Sequence, residues 1–107
     1  MRQAGQTDAA LDFYQQALTL ARRPEALVAI GALHLLAGRA NRARTHFLQA
    51  LDLEADNAEA HVNLALLDLE GGRPVAAIDR LRQVLARGNS PQAQRLLDEV
   101  RRRMGDN

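Results

Sequence analysis

Three glycines, Gly5, Gly38 and Gly72, stand 33 and 34 residues apart and bring three stretches of the chain into register. The aligned segments read GQTDAALDFYQQALTLARR, GRANRARTHFLQALDLEAD and GRPVAAIDRLRQVLARGNS. Five residues after each glycine comes Ala10, Ala43 or Ala77, and four further on a large apolar residue, Tyr14, Phe47 or Leu81. Three beyond that is a small residue, Ala17, Ala50 or Val84, with Leu18, Leu51 or Leu85 directly after it. Small and large side chains alternating at helical spacing describe a stripe that lets a neighbour approach at the small positions and fills the space with the large ones. A period of this length confines the chain to a repeat architecture, because one such unit cannot bury its apolar face alone.

The stretches upstream of Gly38 and Gly72, EALVAIGALHLLAG and EAHVNLALLDLEGG, align at the same 34-residue offset, with Leu27 on His61, Ile30 on Leu64 and Gly31 on Ala65. Each unit is therefore a helix, a short turn and a second helix. This pattern resembles the tetratricopeptide repeat family. Three positions differ from the family's usual residues: its Trp position holds Leu27 or His61, its first-helix Tyr position His34 or Asp68, and its Pro position Ala55 or Asn89. The resemblance implies an all-α fold, a right-handed superhelical stack of antiparallel helical hairpins forming one domain over residues 1–107. It divides into a partial repeat (1–23), two repeats (24–57 and 58–90) and a capping helix (91–107).

Local chemistry agrees with those divisions. The chain has 20 Ala and 18 Leu but one Tyr, two Phe and no Trp, a vocabulary of helices rather than strands. Pro24, Pro74 and Pro91 sit where a first helical turn should begin, and Thr7, Asn57 and Ser90 are placed to cap. Gly88 reads as a left-handed helix terminator. These signals predict helices near 7–21, 24–37, 40–53, 58–70, 74–87 and 91–104. Residues 1–4 read as the tail of a helix that begins before Met1, which implies a longer array or a fragment. The closing helix carries Ala93, Leu96, Leu97, Val100 and Met104 on one stripe and charges opposite, as a capping helix should.

Composition excludes several function classes. There is no Cys, hence no disulfide framework, thiolate metal site or cysteine nucleophile. Apolar runs are only a few residues long, so no membrane span is predicted, and the polar N-terminus is no signal peptide; a cytoplasmic location is the default expectation. All 14 basic residues are Arg, which together with the Ala excess suggests a GC-rich, bacterial origin. Residues 1–73 carry seven Arg against nine acids, a net of −2, whereas 74–107 carry seven Arg against four acids, a net of +3.

In a stacked array of hairpins the first helix of each pair lines the concave surface. The resemblance places groove-facing residues at Glu25, Val28, Ala32 and Leu35 in one repeat and at Glu59, Val62, Leu66 and Leu69 in the next. Asn63 is added as a candidate hydrogen-bonding partner for a peptide backbone. With these set aside, Leu27, Ile30, Gly31, Leu64 and Ala65 still supply an inner face. Both first helices are thus apolar nearly all round, as a helix covered on two sides would be. Three occupants are open for the apolar groove: an amphipathic helix or peptide of a partner, with Glu25 and Glu59 attracting its basic residues; a second copy of the chain; or its own packed Leu side chains. Partners that present a C-terminal carboxylate to Lys, Arg and Asn are not expected, because Glu25, Ala29 and Glu59 stand there.

Little else points to chemistry. His34 and Asp68 hold the same position in successive first helices, yet no Ser or Cys nucleophile aligns with them. His61 reads as filling an aromatic slot and His46 as exposed. No two His lie four residues apart, Gly71-Gly72 lacks a phosphate-loop pattern, and no cofactor is implied. Arg95, Arg101, Arg102 and Arg103, with Arg80, Arg82 and Arg87, are interrupted by Asp98 and Glu99 and carry no interleaved aromatics, so nucleic acid is not the expected partner. The reading is a non-catalytic scaffold for protein–protein interaction; the alternative is an oligomerisation or regulatory repeat segment of a larger polypeptide.

Overall fold

The computed structural model describes residues 8–13, 16 and 23–105, and all regular structure among them is helical. Residues 8–13 are helical, followed by α1 (Pro24–Leu36), α2 (Ala40–Leu53), α3 (Ala58–Glu70), α4 (Pro74–Arg87) and α5 (Pro91–Arg103). The chain separates into two compact units, Met1–Ala60 and His61–Asn107, with the division falling inside α3. The expected cap Thr7 and the stripe residues Tyr14, Ala17 and Leu18 lie outside the described residues.

Proline and short polar residues start the helices. Pro24, Pro74 and Pro91 each occupy the first helical turn, where the missing N–H costs nothing. Asn57 Oδ1 accepts the Ala60 N–H at 2.8 Å, and Ser90 Oγ accepts the Ala93 N–H at 3.2 Å. The hairpin turns repeat as well. Gly38 and Gly72 adopt φ of 78° and 77°. In each, the residue after the glycine returns its N–H to the helix, Arg39 to the His34 carbonyl at 2.8 Å and Arg73 to the Asp68 carbonyl at 2.7 Å. Gly88 departs from expectation: its φ of 165° is extended backbone, not a left-handed terminator.

In the first unit α1 packs on α2. Leu27 and Ile30 of α1 and Ala43, Phe47 and Ala50 of α2 are buried. Gly31 lets the Phe47 ring come close, for a Cβ there would lie 2.6 Å from Phe47 Cε1. Arg39 in the turn reaches back to Asp8 at 2.9 Å. In the second unit one core cluster joins Ala65 and Leu69 of α3, Ala77, Leu81 and Val84 of α4, and Ala93, Leu97 and Val100 of α5, with Val62, Ile78, Leu85 and Leu96 packed at its margin. Among the described residues, the stripe positions Ala43, Phe47 and Ala50 in the first unit and Ala77, Leu81 and Val84 in the second are thus buried.

Candidate functional site

Burial around α1 and α3 shows what each helix leaves free. At about 100° per residue, the buried side chains of α3, from Ala60 and His61 to Leu64, Ala65, Leu67, Asp68 and Leu69, take more than half its circumference. The remainder is a narrow strip at i, i+4, i+7 and i+11: Glu59, Asn63, Leu66 and Glu70. In α1 the same register gives Glu25, Ala29, Ala32 and Leu36. The two glutamates that open the strips are exposed, Asn63, Leu66, Ala29 and Ala32 are half-buried, and Leu36 is 81% exposed.

The expected groove residues divide accordingly. Glu25, Ala32, Glu59, Asn63 and Leu66 lie on these strips, and Leu35 is half-buried beside the first. Val28 is buried. Leu69 belongs to the core cluster of the second unit and Val62 packs against its margin. These three turn inward because a helix buried over most of its girth leaves room outside for only one residue in each turn. Leu36 and Glu70, not among the expected groove residues, lie on the same strips, and the 34-residue register that pairs Glu25 with Glu59 also pairs them.

Polar side chains form links inside each hairpin. In the second, Asp68 is 3% exposed and accepts from Arg80 Nε at 3.1 Å and Arg73 Nε at 3.4 Å. Arg80 is half-buried in consequence. In the first, His34 is buried against the ring of His46, with centroids 5.1 Å apart. His46, expected to be exposed, is half-buried in consequence. His61 is buried, as a residue filling an aromatic slot would be.

The basic C-terminal end is partly neutralised within itself. Arg102 and Arg103 both bond Glu99, whose carboxyl they hold below its ordinary pKa by hydrogen bonding. Arg103 also reaches Glu70 at 3.3 Å. Among the described residues no three His, Asp or Glu side chains gather as metal ligands, and no helix is long and apolar enough to cross a membrane.

Successive hairpins with the same turn, the same stripe and the same outward strip define a helical-repeat protein. Residues 34–100 match the tetratricopeptide repeat family model, and the chain belongs to that family. Repeats of this family generally act as non-catalytic scaffolds for protein–protein interaction. No curated protein matches the chain significantly.

Proposed function

We propose that the chain is a docking module whose first helices bind an amphipathic helix or peptide of a partner protein along their outward strips. The observation that carries this reading is the strip itself. Leu36 and Leu66 are apolar at positions that packing leaves open, and Glu25 and Glu59 stand at the same end of each strip. Leucine anchors beside carboxylates favour a partner segment that alternates apolar and basic residues.

A displayed library of amphipathic peptides, selected on immobilised protein, tests it. Enriched peptides should carry Leu or Phe anchors flanked by Arg or Lys. Their binding should weaken at least about tenfold on Leu66→Glu, the usual scale for losing a central anchor. Leu36→Glu should weaken them as well, while helicity by circular dichroism is unchanged. Enriched peptides that bind both variants as tightly as the wild type would place the docking surface elsewhere. Light scattering across a concentration series on the same proteins reports the alternative, since an oligomer that Leu66→Glu dissociates would make a second copy the occupant.

A further inference from the structure

His34 and His46 of the first hairpin correspond, 34 residues on, to Asp68 and Arg80 of the second. Both pairs tie the first helix of a hairpin to its second, but with different chemistry. Asp68 and Arg80 carry opposite charges in contact at 3.1 Å. His34 and His46 are two imidazoles, ring on ring, tilted by 33°.

The surroundings of His34 favour its neutral form. The residue is 4% exposed, and its Nδ1 is buried without a hydrogen-bond partner. Protonation places a hydrogen on both ring nitrogens, so the imidazolium would bury an N–H with no acceptor. His46 Nδ1 faces the Arg42 carbonyl at 2.8 Å and donates to it. The charged groups acting on His34 are His46 and Arg42 from α2, Arg39 from the turn and Asp8 from the preceding helical segment. Asp8 alone opposes the cations, and its carboxylate is already engaged by Arg39. Burial first, then His46, Arg39 and Arg42, hold the His34 pKa below the ordinary 6.5.

We propose that the His34–His46 pair is an acid-sensitive latch: with His34 neutral and packed on the His46 ring it holds α1 to α2, and in mild acid protonation of His34 loosens the first hairpin while Asp68 and Arg80 keep the second closed. The sign follows from proton linkage. With the folded-state pKa below the unfolded one, the unfolded chain binds more protons in the interval between them. The stabilisation is complete above 6.5 and is lost as pH falls from there through the folded-state value. Because α1 carries Leu36 and Glu25, loosening it would also disorder part of the outward surface.

The test combines a titration of the histidine ring protons by NMR with amide hydrogen exchange at about pH 7.5 and about pH 5.5, a window that brackets an ordinary imidazole. The His34 ring should titrate below 6.5. After correction for intrinsic exchange, amides of α1 and α2 should lose protection on acidification while those of α4 and α5 keep theirs. His34→Phe, which retains a ring without a proton to gain, should abolish the acid-induced loss. If that variant does not fold, His46→Phe serves instead: removing the second imidazole should raise the His34 titration midpoint. A His34 midpoint at or above 6.5 would overturn the latch, as would equal loss in both hairpins. So would His34→Phe remaining as acid-sensitive as the wild type, or His46→Phe leaving the midpoint where it was.

Discussion

Gly31 and Phe47 make one fitted contact, and their counterparts 34 residues on, Ala65 and Leu81, lie in one buried cluster with the sizes exchanged. A Cβ on Gly31 has nowhere to go but into the Phe47 ring, so Gly31→Ala should destabilise the chain by about 1–3 kcal/mol, the usual range for overpacking. Phe47→Leu should open a void and destabilise as well. Combined, the two substitutions install the pair the second hairpin already uses. The double variant should recover about 0.5–3 kcal/mol relative to the sum of the singles, measured by urea denaturation as a coupling energy between touching residues. Strict additivity would mean that the two sites do not share a contact. The alignment makes Phe47 legible as a large stripe residue and Gly31 as a small inner-face residue, but not that the two meet. His34 was legible only as a position. That its partner is His46, and that Arg80 turns inward to Asp68, depends on rotamers and on which polar atoms burial leaves unmet, and a 34-residue register carries neither.

Helix ends could be read almost to the residue, because they are set by local chemistry: proline in the first turn, Asn57 and Ser90 as caps, glycine with positive φ at Gly38 and Gly72. Ser90→Ala should accordingly destabilise α5 by about 1 kcal/mol, seen as a lowered thermal midpoint, with Ser90→Asp restoring it. Gly88 misled because glycine after a helix usually marks a left-handed cap, whereas Ser90-Pro91 supplies its own start signal and lets the preceding backbone run extended. The outward strips were only half legible. Where a helix is apolar nearly all round, hydrophobic periodicity says that it is surrounded without saying by what, and the choice between i+3 and i+4 falls to its neighbours. Val28, Val62 and Leu69 turned inward for that reason, and Leu36 and Glu70 outward.

For the whole molecule, the second unit depends on α5 as much as on its own hairpin. Ala93, Leu97 and Val100 close a cluster that α3 and α4 contribute to from the other side. Ending the chain after Ser90 would expose Ala77, Leu81 and Val84 to water, and the truncated protein should lose cooperative unfolding and bind a hydrophobic dye. A truncated chain that melts as sharply as the parent would show that α3 and α4 suffice. The uneven charge, −2 over residues 1–73 and +3 beyond, is partly met inside the second unit. Glu99 and Glu70 engage Arg102 and Arg103 inside the same unit.

The fitted contacts also bear on how such a chain can be rearranged by recombination. A crossover between the two helices of a hairpin would set Gly31 against Leu81 in one product, leaving a gap, and Ala65 against Phe47 in the other, forcing a collision. The same crossover would seat His34 beside Arg80 and Asp68 beside His46, so that neither original polar tie is kept. A crossover in the Glu54–Asn57 joint separates none of these partners. Duplications and deletions that survive should therefore carry breakpoints at such joints, so that the inherited module is the hairpin and not the helix.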